Sequence, residues 1–247
     1  MALDPNPHTL RQVCSWWNTL VLQSPSFWSS IVIFAHYDRM EYSRLGGSKE
    51  HFVSKAHAKS IALALSRAGG VPMYLHVHGS GSSPLPPSKS VPLTSILATI
   101  AKHQLTGTHF HGLTVEAVLG KVSFPSLQSL IFRHLNEVMP PSTANMFPKL
   151  ERLIFDYFNV EDGLPPFPWT QLTHVFIEAQ LSISAVTAIL GSCLNVRRAA
   201  FHLRSNPIDY AWARTPEFLA KHITLPFLQD LTFFPSSPFH RPFSTIA

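Results

Sequence analysis

The residues of this chain best spaced for chemistry are two histidine pairs, His76-x-His78 and His109-x-His111. Alternate residues of a strand share a face, so each pair offers two imidazoles on one side. On neighbouring strands in register, the four rings could converge on a zinc-type ion, which imidazole nitrogens ligate well. No carboxylate or cysteine reinforces the set, and a chain with 14 histidines produces such pairs by chance. The expectation is therefore no metal. A softer expectation is that His109, His111, His174 and His202 make partner binding vary between about pH 5.5 and 7.5.

Other chemistry finds less support. Gly79 and Gly81 lack the Gly-Lys-Ser/Thr ending of a phosphate-binding loop. There is no G-x-S-x-G elbow, neither cysteine has a histidine in a catalytic setting, and acidic residues are too sparse for paired carboxylates. An enzyme is not expected, nor a cofactor. Cys14 and Cys193 are too few and too far apart for a disulfide framework and read as two buried, reduced thiols. With 19 basic and 14 acidic residues the net charge is +5, and no Lys/Arg run exceeds the pair Arg197-Arg198. That scattering excludes the basic stripe of a nucleic-acid binder. No signal peptide opens the sequence and no uncharged apolar run reaches about 18 residues, so no membrane contact is expected and the location is cytoplasmic or nuclear.

The elements that must position these residues are short. Leu10, Val13, Cys14, Trp17, Leu20 and Val21 form one stripe of a helix over Thr9–Leu22, ended by Ser24-Pro25. Trp17 and Trp28 read as core and Trp16 as exposed. A buried strand is expected at Ile31–Phe34. A second helix is expected over His51–Ala68, with Val53, Ala56, Ser60, Leu63 and Ala64 on one face and Gly69-Gly70 as its stop. A strand comes next at Pro72–Val77, then a flexible Ser/Pro/Gly loop over Gly79–Pro92. Further helical stretches fall at Leu93–His103, Thr114–Leu119, Ser184–Leu194 and Pro216–His222.

From Leu105 onward one phrase, L-x-x-L-x-Φ with Φ apolar, keeps returning. Its clearest copies are Leu127-Leu130-Phe132, Leu150-Leu153-Phe155, Leu172-Val175-Ile177 and Leu228-Leu231-Phe233, with looser copies at Leu105-Thr108-Phe110 and Val196-Ala199-Phe201. Their first residues are 22 (105 to 127), 23 (127 to 150), 22 (150 to 172), 24 (172 to 196) and 32 (196 to 228) positions apart. Such periods indicate an α/β, leucine-rich-repeat-like solenoid, with a parallel sheet on one face, helices or turns on the other, and a short helix ahead of it. Phe-Pro pairs sit where strands begin, where proline costs no ladder bond and each phenylalanine can stack on the next.

Counting each phrase from its first residue, positions 4 and 6 face the core and 3, 5 and 7 the open side. Position 5 gives His109, Ile131, Ile154, Phe176, Ala200 and Thr232. Position 7 gives His111, Arg133, Asp156, Glu178, His202 and Phe234, and position 3 supplies Arg152, His174 and Arg198. An apolar stripe of Ile131, Ile154, Phe176 and Ala200 rimmed by both charge signs fits a protein-binding face.

The segment Leu10-Arg-Gln-Val-Cys-Ser-Trp-Trp-Asn-Thr-Leu, followed by Ser24-Pro25-Ser26-Phe27-Trp28, resembles the last third of an F-box. In that motif a V-C-x-x-W helix precedes a closing tryptophan and a short strand. Leu63-Ala-Leu-Ser-Arg-Ala-Gly-Gly-Val-Pro-Met-Tyr-Leu is similar to the helix end and first strand that come after the F-box in many mushroom (basidiomycete) F-box proteins, which continue into irregular leucine-rich repeats. The resemblance implies a substrate receptor of an SCF-type cullin–RING ubiquitin ligase. Leu10, Val13 and Trp16 would then touch a Skp-type adaptor, while the repeats hold an unknown substrate protein. The family's opening Leu-Pro and apolar helix do not precede Leu3-Asp4-Pro5, so a truncated motif is expected over residues 1–30, with the repeat domain over 31–247. The alternative is an adaptor-free repeat scaffold or a gene fragment that no longer binds the ligase.

Overall fold

The computed structural model describes residues 14–36, 51–80, 86–113, 121–133, 145–156, 164, 167–203 and 223–235. It is an α/β protein whose strands pair mostly in parallel. The expected helices at Thr114–Leu119 and Pro216–His222 lie outside the described residues, as do Leu10 and Val13. The chain divides into two compact units, one of Met1–Leu150 with Pro165–Pro168 and one of Glu151–Leu164 with Trp169–Ala247. That division falls inside the phrase Leu150-Leu153-Phe155.

The first unit opens with α1 (Ser15–Gln23), which begins later than the apolar stripe suggests. Cys14 is extended and acts as its N-cap, its Sγ accepting from the Trp17 N–H at 3.5 Å, which places this cysteine at the surface and not in the core. Trp17 is only half-buried. Ser24, extended as a residue before proline must be, ends the helix and a single 3-10 turn follows at Pro25–Trp28. Trp28 is buried, its Nε1–H donating to the Val21 carbonyl at 2.8 Å and its ring covered by the Arg67 guanidinium at 4.7 Å.

Strand β1 (Ser30–His36) is followed by β2 (Phe52–Ser54) and α2 (Lys55–Ala68). The expected helix start at His51 is thus corrected: Ser54 is the N-cap, accepting from the His57 N–H at 3.2 Å, and Val53 is buried on a strand. The buried stripe of α2 is Ile61, Leu65 and Ala68, while Leu63 is exposed. Gly69 ends it in the left-handed region, at φ 58°, as the Gly-Gly stop requires. Strand β3 (Met73–Ser80) runs into the expected loop, whose far end is β4 (Ser90–Pro92), paired antiparallel with β2. Three-residue strands have no period long enough to read. Helix α3 (Leu93–Ile100) buries Leu93, Ile96, Leu97 and Ile100, and β5 (Leu105–His111) and β6 (Ser129–Arg133) come after it.

Within this unit β1, β3, β5 and β6 are parallel neighbours in that order, and β2 pairs antiparallel with β1. The register aligns Ile31, Leu75, Thr108 and Leu130 in one buried row and Ile33, Val77, Phe110 and Phe132 in a second. Phe124 stacks on Phe147 (5.9 Å between centroids, 10° between planes) and Phe147 on Phe167 (6.3 Å, 22°), as the Phe-Pro spacing suggested.

The second unit contains β7 (Arg152–Phe155), β8 (His174–Leu181), α4 (Ile183–Ser192), β9 (Arg198–Leu203) and β10 (Asp230–Pro235). All four strands are parallel and pair in chain order. Ser182 caps α4 by accepting from the Ala185 N–H at 3.1 Å, and Cys193, just beyond its end, is buried as expected. Leu153, Phe155, Val175, Ile177, Ala199 and Phe201 are all buried, so positions 4 and 6 face inward. In β10 the same positions are open: Leu231 is 36% and Phe233 45% exposed. Among the described strands β10 pairs only with β9, so it lacks the enclosure a strand receives from two neighbours.

A repeated backbone device sets the register. In five of the six phrases the first residue donates its N–H to a carbonyl three residues back: Leu127 to Phe124, Leu150 to Phe147, Leu172 to Trp169, Val196 to Cys193 and Leu228 to Leu225, at 3.2–3.3 Å, while Leu105 donates to the His103 carbonyl at 2.8 Å. In the second unit the position-2 carbonyls of Glu151, Thr173 and Arg197 each accept two N–H groups from the following phrase, at 2.8–3.1 Å. Each copy therefore hands its neighbour a fixed start.

Candidate binding face and histidine cluster

On the open side of the first unit, one row reads Val32, His76, His109, Ile131 and the next Phe34, His78, His111, Arg133. The two histidine pairs thus occupy adjacent strands in register, which was the condition for them to meet. Centroid separations are 5.7 Å for His76–His109, 5.7 Å for His78–His111, 6.3 Å for His78–His109 and 6.5 Å for His109–His111. His109 lies at the centre, and its Nε2 is buried without a hydrogen-bond partner. Among the described residues, no group of three or more His, Cys, Asp or Glu side chains is placed to hold a metal ion as the side chains stand. Beside the cluster Phe34 is 55% exposed and stacks on His78 at 5.8 Å, while the His57 Nε2–H donates to the Val32 carbonyl at 3.0 Å.

Burial drives the His109 imidazole down to about 4, helped by the Arg133 guanidinium and by His76, His78 and His111. His76 is lowered as well, by burial and then by His78. Both rings are therefore neutral at physiological pH.

Two glycines fix how closely the strands approach at the end of the cluster. A Cβ on Gly79 would lie 2.2 Å from the Gly112 carbonyl oxygen, closer than any side chain tolerates. Gly112 itself turns the chain out of β5 at φ 64°.

In the second unit the position-5 row reads Ile154, Phe176, Ala200 and Thr232. Ile154 and Phe176 are half-exposed neighbours, but Ala200 is buried at 5% exposure and adds little surface. Position 3 brings Arg152, His174 and Arg198 into one row, with exposed Arg197 beside it. Burial lowers the His174 imidazole, the Arg152, Arg198 and Arg197 guanidiniums push the same way, and Glu151 opposes them. Asp156 and Glu178 lie toward the other strand ends. One expected alignment fails: the register shifts between Ile177 and Gln180, so His202 pairs with Gln180 and Glu178 drops out of the position-7 row. His202, also lowered by burial, stacks on Phe234 at 5.1 Å.

The expected site residues are therefore divided. Ile131 and Arg133 belong to the first unit beside His109 and His111. Arg152, Ile154, Asp156, His174, Phe176, Glu178, Arg198 and His202 belong to the second. Of the expected adaptor contacts only Trp16 is described, and it is 64% exposed. The expected pH window is corrected for His109, which titrates below it. Sequence reasoning named both histidine pairs but could not supply the in-register pairing of β3 with β5. Among the described residues no helix is long and apolar enough to cross a membrane. No family model matches the chain, and no curated protein or solved structure matches it either.

Proposed function

We propose that this chain is a protein-recognition module that performs no chemistry itself: the substrate-recognition subunit of an SCF-type ubiquitin ligase, built as a leucine-rich-repeat-like solenoid. The observation that carries the reading is the adjacent pair Ile154 and Phe176 on the open side of β7 and β8. Apolar side chains left half-exposed beside one another, with Arg152 and Arg198 at one end and Asp156 and Glu178 at the other, suit an apolar anchor on a protein partner. The basic end favours acidic groups flanking that anchor. One strand per phrase, preceded by the same turn in every phrase but the one at Leu105, supports the repeat architecture. A ligase built on such a receptor lowers its barrier by proximity, holding a substrate lysine near activated ubiquitin.

Ile154→Asp combined with Phe176→Asp should abolish capture of partner proteins while the chain stays folded, still unfolding in one cooperative denaturant transition. A double variant that still captures the same partners sinks the reading. Co-purification with a Skp-type adaptor tests the ligase role separately. An adaptor-free scaffold using the same face is the second reading, and it is favoured by Cys14: as an extended N-cap, it leaves the V-C-x-x-W sequence without one continuous helix.

A further inference from the structure

We propose that His76, His78 and His109, with His111 at the fourth corner, form a binding site for one divalent transition-metal ion such as zinc on the open side of β3 and β5. The metal–nitrogen distance of about 2.1 Å and a tetrahedral angle place ligating imidazole centroids roughly 5.2 Å apart. The measured separations of 5.7, 5.7, 6.3 and 6.5 Å exceed that by about half to just over one ångström. Side-chain rotation on a fixed backbone closes gaps of this size, and the backbone is fixed: His76 is paired with His109, and His78 with His111.

A buried imidazole nitrogen normally has a partner. His109 Nε2 has none, although it sits among three other imidazoles. A shared cation satisfies that nitrogen in a way that another imidazole donor, itself held in the strand, does not. Arg133, paired with His111 across β5 and β6, works against a cation and sets the affinity below that of closed structural sites. An all-imidazole donor set selects zinc, cobalt, nickel or copper over calcium or magnesium.

The test uses the full chain without an affinity tag, freed of metal by chelation. Calorimetry with zinc should give one site, and cobalt should give the intense visible bands of a tetrahedral nitrogen-ligated ion. His76→Ala with His109→Ala should weaken zinc binding by at least about a hundredfold and remove the cobalt bands. His103→Ala should change neither, and Arg133→Gln should tighten binding. Wild-type protein showing only the weak spectrum of hydrated cobalt overturns the proposal. So does a folded double variant that retains the zinc stoichiometry. Should the double variant unfold, the wild-type cobalt spectrum decides alone. Partner capture by Ile154 and Phe176 is a different readout on the second unit, so either proposal can fail without the other.

Discussion

Leu153 and Ile154 are consecutive residues of similar size on the same strand, and the register assigns them opposite fates. Leu153 is 0% exposed, while Ile154 is half-exposed on the open side. Replacing a fully enclosed leucine by alanine removes its transfer energy and leaves a cavity, together about 3 kcal/mol. Replacing Ile154 by alanine removes only part of one apolar surface and leaves no void, about 1 kcal/mol. With a urea m-value of about 2 kcal/mol/M, those losses move the unfolding midpoint by about 1.5 M and about 0.5 M. Val175 and Phe176 repeat the contrast on β8, where Val175 is 0% exposed.

The assay is urea unfolding of the four single alanine variants, followed by far-UV circular dichroism. The ordering Leu153 well above Ile154, with m-values unchanged, is the expected result. Equal losses at 153 and 154 would refute the face assignment, because a one-residue slip exchanges every inward and outward side chain. The same result would remove Ile154 and Phe176 from any binding face.

Two further predictions concern the first unit. Thr108 occupies an inward position at 4% exposure, and its Oγ1 has no hydrogen-bond partner. Thr108→Val should therefore stabilise the protein by about 1 kcal/mol, read as a higher denaturant midpoint, and a lower midpoint contradicts the burial argument. His109 is held at about 4 in the folded chain against an ordinary 6.5, so the unfolded chain binds more protons between these values. Stability is thus intact above about pH 6.5 and falls as the pH drops toward 4. At about 1.36 kcal/mol per tenfold the ceiling is about 3 kcal/mol, and partial exposure reduces it to roughly half. In the presence of chelator, His109→Gln should flatten that acid limb of the stability profile, and an unchanged slope contradicts the assignment.

Much of the architecture was legible because parallel strands at a fixed period must repeat their inward residues. Leu127, Leu150 and Leu172 are each 0% exposed, and the inward set from Phe110 to Phe201 is buried, as the L-x-x-L-x-Φ phrase required. The features that escaped were local and non-periodic. Strands β2 and β4 are three residues each, too short for alternation to show. Ser54 and Cys14 decide where their helices begin, and their caps override apolar stripes that continue past them. The shift after Ile177 moves Glu178 out of line with His202 through one irregular pairing, which no spacing between leucines records. Likewise, the histidine cluster depended on which strand lies beside β3, and that neighbour is set by the crossover rather than by either histidine pair.

The turn carbonyls and the inward rows together explain why chemistry collects where it does. Changing an inward residue such as Phe132 or Leu153 costs several kcal/mol and threatens the register that every later strand inherits. Changing an outward residue leaves those carbonyls and rows untouched. Outward residues are therefore free to vary, and the two units fill their outward rows differently. β3 and β5 present imidazoles, with His76 and His109 held neutral by burial; β7 and β8 present Ile154 and Phe176 between guanidiniums and carboxylates. A backbone that repeats thus carries faces that do not, and each face has to be tested by its own chemistry: ion coordination on the first unit, and loss of an apolar anchor on the second.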